Sequence, residues 1–167
     1  MIVEIKYAAG RLYTYRAGGA DDSVIEVYDV TDPGNPEYIM GWVTEELVIG
    51  LEAWQDETGR HLIAALTPDE LSIQDVSDPR GIHKQLGRIF ARPECVFEPN
   101  RDNYHRHTTL FENWLFAPLG NCPTNRIDIS DPENPIILEM LDSNGPMVFE
   151  DGYLYMGGRN LRIYKFD

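Results

Sequence analysis

The chain has 167 residues, a formal charge of −14 and 43% hydrophobic residues, enough for one domain with a core or for part of a larger assembly. The charge argues against nucleic acid as a partner, because phosphates require a positive footprint; its plain reading is solubility, with a cationic partner or bound Ca²⁺ as the other. No run of about 18 apolar residues occurs, so no membrane span is expected, and the nine tyrosines, three tryptophans and many Val and Ile residues favour sheet over helix.

The opening stretch, MIVEIKYAAGRLYTYRAGG, alternates apolar and polar residues and carries Lys6, Arg11 and Arg16. It reads as two strands around a turn at Gly10, not as the apolar core of a signal peptide. Either the protein is made without an export signal, or the chain is a mature form or a cut-out segment. A third strand follows and ends in VYDVTDPGNP (27–36), and EYIMGWV (37–43) is a fourth. The order then recurs. ETGRHLIAAL (57–66), IQDVSDPRGI (73–82) and IHKQLGRI (82–89) form a second unit. FENWLFAPL (111–119), RIDISDPENP (126–135) and IILEML (136–141) form a third, and FEDGYLYMG (149–157) with LRIYKFD (161–167) a partial fourth.

The Asp-Pro steps of the three complete units lie 46 and 53 residues apart. In the first and third, apolar positions flank the first aspartate, as an inward-facing strand requires. The second aspartate can accept a hydrogen bond from the backbone two residues on, proline fixes φ for the turn, and Asn35 or Asn134 tolerates the left-handed conformation. Gly10, Gly59 and Gly152, with Asn113 in the matching place, supply tight turns between the first two strands of each unit.

Four antiparallel strands every 40–50 residues or so describe a propeller blade. The expected fold is therefore all-β: a β-propeller of about four blades, bounded near 1–43, 44–90, 91–141 and 142–167, with the last blade one strand short. A β-sandwich with coincidentally similar turns is the alternative. Such a chain can close as a small four-bladed ring, form half of an eight-bladed ring completed by a second copy, or be a fragment of a larger propeller without separate activity. Open blade edges pair readily, so self-association through them is expected.

The strand endings and turns at 27–36 and 126–135 resemble the LVIVD-repeat family, whose repeat carries a strand followed by Ser-Asp-Pro-x-Asn-Pro. Residues 73–82 lack the Asn-Pro, having Gly81-Ile82, and 161–167 keep only the strand. The resemblance implies a propeller in a secreted or surface-exposed microbial protein; without it a cytoplasmic location is the default. It implies no particular activity.

The rhythm breaks in the third unit. The connection ARPECVFEPNRDNYH (91–105) is the longest and least regular, and long loops on rigid scaffolds concentrate function. It delivers Cys95, Arg101, Asp102 and Tyr104, then runs into His105-Arg106-His107. Residues two apart on a strand point the same way, so His105 and His107 are expected to project together, toward the central channel. With Asp102 they could bind a divalent metal, Zn²⁺, Cu or Fe, or serve as proton acceptors; ordinary surface histidines are the alternative. For Cys95 and Cys122 three readings stand: a disulfide, two unrelated thiols, or metal ligation together with the histidines. His61 and His83 read as surface residues, and the pairs Asp21-Asp22 and Glu45-Glu46 as solvated acids able to attract cations.

The leading functional expectation is a non-enzymatic module that presents a loop-built face, including Arg101, Tyr104 and Arg106, to a protein or carbohydrate. Exposed aromatics such as Tyr104, Trp54 or Trp114 would supply contact area. The alternative is a metal-dependent enzyme with His105 and His107 at the channel mouth.

Overall fold

The computed structural model describes residues 2–17, 23–78, 80–95, 107–143, 145–158 and 160–166. The architecture is all-β, four antiparallel sheets in which spatial order follows chain order. The first sheet contains β1 (Ile2–Ala8), β2 (Arg11–Ala17), β3 (Ser23–Asp29) and β4 (Glu37–Thr44). The second contains β5 (Gly50–Gln55), β6 (His61–Leu66), β7 (Glu70–Asp75) and β8 (Lys84–Phe90). The third contains β9 (Thr109–Phe111), β10 (Trp114–Pro118), β11 (Thr124–Asp128) and β12 (Ile136–Met140), and the fourth only β13 (Met147–Glu150), β14 (Tyr153–Met156) and β15 (Arg162–Lys165). A 3-10 turn at Pro93–Cys95 precedes the third sheet, and no α-helix occurs among the described residues.

Local chemistry explains the repeat. Both aspartates of each turn act as backbone acceptors. Asp29, Asp75 and Asp128 each take a bond of 2.9 Å from the amide two residues on, and Asp32, Asp78 and Asp131 do the same at 3.0, 2.8 and 3.0 Å. Each turn is thus two overlapping Asx turns, which satisfy amides that the ladder has released. A register shift recurs just before the first aspartate, at Val27/Tyr28, Ile73/Gln74 and Arg126/Ile127, where Ile39, Leu86 and Leu138 of the fourth strands are left over, a repeated bulge that bends each fourth strand.

One expectation about these turns needs correction. Neither Asn35 nor Asn134 is left-handed; at the corresponding place only Gly81 is, with φ 79°. The amides of Asn35 and Asn134 close the turn onto the carbonyls of Asp32 and Asp131, each at 3.0 Å, as a right-handed turn requires. The hairpins use left-handed backbone instead, with φ of 47° and 79° at Ala9-Gly10 and 50° and 79° at Asp151-Gly152, the primed-turn geometry that matches strand twist.

Three cores join consecutive sheets. Tyr13, Tyr15, Ile25, Val27 and Met40 of the first sheet pack on Leu51, Ala53, Ile63 and Ala65 of the second. Ala64, Leu66, Leu71 and Ile73 of the second pack on Leu115, Ala117 and Ile127 of the third. Phe116 of the third meets Leu154 and Met156 of the fourth, with Phe149, Tyr164 and Phe166 around them. The second sheet is therefore covered on both sides, and β6 is buried continuously from Leu62 to Leu66. Burial of each large side chain contributes about 1.5–3 kcal/mol.

The first strands of successive sheets are neighbours. Glu4 accepts from the Leu51 amide at 3.0 Å, and the Thr108 hydroxyl, just before β9, donates to the Leu51 carbonyl at 2.9 Å. Phe111 and Phe149 stack with centroids 3.6 Å apart. Lys6 bridges Glu4 and Glu52 at 3.3 and 3.1 Å. Burial pushes the Glu52 carboxyl up, opposed by Lys6. Burial would lower Lys6, but the two carboxylates outweigh it and raise its pKa.

Candidate functional site

Of the residues singled out around the third unit, Arg101, Asp102, Tyr104, His105 and Arg106 lie outside the described residues, as do Asp21 and Asp22. His107 is described. It is exposed and lies two residues before β9, outside any strand, so strand alternation does not set its direction. No group of three His, Cys, Asp or Glu side chains able to hold a metal occurs among the described residues.

Cys95 and Cys122 are joined by a disulfide, with Cα atoms 5.0 Å apart, so neither offers a thiolate to a metal. Cys95 is buried and its carbonyl accepts from the Asn121 amide at 2.8 Å. Gly120 is left-handed (φ 61°) and its α-carbon faces that same carbonyl, leaving no room for a β-carbon. The bridge thus fastens the 3-10 turn at Pro93–Cys95 to the β10–β11 loop.

The surface positions expected for His61, Trp54 and Trp114 are corrected, and that of His83 stands. His61 is half-buried, its Nδ1 lying 3.0 Å from the Tyr13 hydroxyl; burial first, and then Arg11, push its pKa down. Trp54 and Trp114 are half-buried and pack against the second and third cores, where their large rings are needed as filling. His83 is exposed but not isolated, since its ring stacks on Trp42 with centroids 4.4 Å apart and planes 15° from parallel.

That stack forms one wall of a cleft of about 440 Å³ between the first and second sheets. Trp42 and Thr44 of β4 stand on one side. Ser72 and Gln74 of β7 and Gln85 and Arg88 of β8 stand opposite, with Glu45 and Glu46 at the rim and Glu70 at the end. The apolar part of the sheet–sheet contact stops at Val48 and Ala65, and the polar cleft opens beyond it. The Gln74 amide nitrogen donates to Ser72 at 3.2 Å, while its Oε1 is buried without a hydrogen-bond partner. Arg88 donates to Gln85 Oε1 at 2.6 Å and lies 3.6 Å from Glu70. Burial pushes Glu70 up, with Arg88 opposing and Glu46 and Asp69 adding to the shift; burial pushes His83 down.

The repeat itself held a signal for this site. The residue before the first aspartate is Tyr28, Gln74 or Ile127 in the three units, and only the second places an amide at a position facing a neighbouring sheet. A second cleft of about 370 Å³, between the second and third sheets beside Trp54, has at its polar side a cluster of groups engaged with one another. There Asp56 accepts from Thr58 and from both the amide and the side chain of Arg60.

No family model matches the chain, and no curated protein matches it. Among solved structures it is similar to the crystal structure of the computationally designed Ika8 protein, with a TM-score of 0.54 and 6% identity, over 98% of this chain and 58% of that one. At that identity the likeness is one of fold alone. The chain spans little more than half the length of the designed chain it matches.

Proposed function

We propose that the chain is a β-propeller module of the LVIVD-repeat type that binds a ligand rather than transforming it, and that the cleft between its first two sheets takes a neutral, hydroxyl-rich ligand of the saccharide class. Four features support the propeller reading: meander sheets in chain order, neighbouring first strands, a core between each consecutive pair, and a bulge that recurs in the fourth strand of the first three sheets.

The observation that carries the binding reading is the Trp42–His83 stack lining one cleft together with Gln74, Gln85, Ser72 and Arg88. A ring wall packs against the C–H face of a sugar, while amides, hydroxyls and a guanidinium satisfy its hydroxyls. Gln74 Oε1 is an acceptor in need of a donor, and a buried acceptor left unpaired costs about 1–3 kcal/mol. Three carboxylates, Glu45, Glu46 and Glu70, against one Arg88 oppose anionic ligands. This reading puts the binding face on the first two sheets and not on the loop-built face expected around Arg101, Tyr104 and Arg106, which lie outside the described residues.

Calorimetry against a panel of neutral and anionic oligosaccharides tests the reading. Saturable binding of a neutral member is expected, weakened tenfold or more by Trp42→Ala and by Gln74→Ala, since tenfold corresponds to about 1.4 kcal/mol. Binding confined to anionic members, or unchanged in both variants, would contradict it.

A further inference from the structure

The four sheets interlock by one rule, and the two end sheets leave its two halves open. Each hairpin can be counted from the residue paired with the first aspartate of its turn: Arg11 with Asp29, Leu62 with Asp75, and Trp114 with Asp128. The fourth hairpin aligns through Tyr153, which pairs with Glu150 as Trp114 does with Phe111. On this count each sheet has a front, turned to the next sheet, and a rear, turned to the one before. Front positions are Tyr13, Ala64, Phe116 and Tyr155, paired with Val27, Ile73, Arg126 and Ile163. Rear positions are Leu12, Ile63, Leu115 and Leu154, paired with Tyr7, Ala53, Leu110 and Phe149.

Inside the stack most of these positions close completely, with Leu110, Arg126 and Phe149 half-buried. Tyr13, Val27, Ala64, Ile73 and Phe116 are fully buried on the fronts, as are Ile63, Leu115 and Leu154 on the rears. At the ends they do not. Tyr7 is 68% exposed where Ala53 is buried, and Ile5 is 54% exposed where Leu51 is buried. On the fourth sheet's front, Ile163 is 55% exposed where Val27 and Ile73 are buried, and Val148 beside it in the Tyr155 row is exposed as well. An exposed front and an exposed rear of the same repeating kind on one chain are complementary surfaces of one contact, and contiguous apolar patches of this sort mark interaction sites.

We infer that the rear of the first sheet docks on the front of the fourth sheet of a second copy, head to tail, and that two copies close a ring of eight sheets. The contact pairs unlike faces, so it either closes or propagates as a filament. Closure after two copies gives eight blades, the upper end of the usual range of about four to eight; three copies would exceed it. Closure within one copy would bury Tyr7 and Ile163, which stand open. The contact is made by sheet faces and needs no strand to add at an edge. It stands independently of any ligand in the cleft.

Light scattering on the intact chain tests this. A mass of two chains is expected, falling to one on dilution. Tyr7→Asp or Ile163→Asp alone breaks both contacts of the ring and should give one-chain mass with an unchanged circular dichroism spectrum, since both residues are exposed in a single copy. An equimolar mixture of the two variants retains one intact front-to-rear contact per pair and should recover two-chain mass. One-chain mass for the unmodified protein at every concentration, masses that grow without limit, or a mixture that recovers nothing would overturn the inference.

Discussion

Trp42 and His83 stack 4.4 Å apart across the gap between β4 and the start of β8, joining the outer strands of two sheets whose apolar core ends short of them. The pair is therefore both wall and brace. Trp42→Ala is expected to destabilise the protein by about 2–3 kcal/mol, less than full core truncation because Trp42 is half-buried. His83→Ala should cost under about 1 kcal/mol, since an exposed ring forfeits mainly its aromatic contact. Urea denaturation reads both; equal effects would mean that the rings do not brace the sheets.

The Cys95–Cys122 bridge closes a segment of 27 residues. Loop-closure entropy for that length corresponds to about 3–4 kcal/mol. A Cys95→Ser, Cys122→Ser double variant should lose stability of that order in denaturant titrations, and adding reductant to it should change nothing further. A loss below about 1 kcal/mol would contradict a loop-closure contribution from this bridge.

The turn aspartates make acid stability a property of the repeat. Hydrogen bonds from Thr31 hold Asp29 below the usual carboxylate range, and those from Asn134 and Glu133 do the same for Asp131. The Arg80 side chain and amide hold Asp78 at about 2. Folded values lie below unfolded ones, so the contribution is present above about pH 4 and is lost as pH falls through the folded values. Unfolding midpoints should fall from pH 4 toward pH 2, and Asp78→Asn should flatten part of that slope. A slope unaffected by the substitution would remove Asp78 from the explanation.

Arg126 stands where the corresponding positions of the first two sheets carry Val27 and Ile73. Its guanidinium lies 4.9 Å from the rings of both Trp114 and Phe166, and its Nε is 3.0 Å from Glu139 without hydrogen-bond alignment. It therefore clamps the third sheet to the fourth through ring faces. Arg126→Ala should cost about 1–2 kcal/mol, and Arg126→Lys should recover little, because a compact ammonium cannot lie flat against two rings. Full recovery by lysine would assign the effect to charge alone.

The sequence showed the strands and turns because their causes are local. Asp32 and Asp131 cap their own turns, Gly10 and Gly152 sit in left-handed hairpins, and the shortfall of one strand in the last unit was a matter of counting. The cleft was hidden because its walls, Trp42 on β4 and Gln74 and Arg88 on β7 and β8, meet only through sheet-on-sheet packing, which no local spacing encodes. His61 misled for a related reason: it follows a turn, yet the Tyr13 hydroxyl of the neighbouring sheet covers it. Trp54 and Trp114 looked like exposed contact residues because strand alternation shows that a side chain leaves the sheet, and not that another sheet awaits it.

Indole N–H resonances of Trp42, Trp54 and Trp114 give the most direct readout of ligand binding, because the three rings report on different places in the stack. On titration with a neutral oligosaccharide that binds, the Trp42 signal should shift to saturation while those of Trp54 and Trp114 hold still. A Trp42 signal that stays fixed while binding proceeds, or a shift confined to Trp54 beside the second cleft, would contradict the assignment of the cleft between the first two sheets as the binding site.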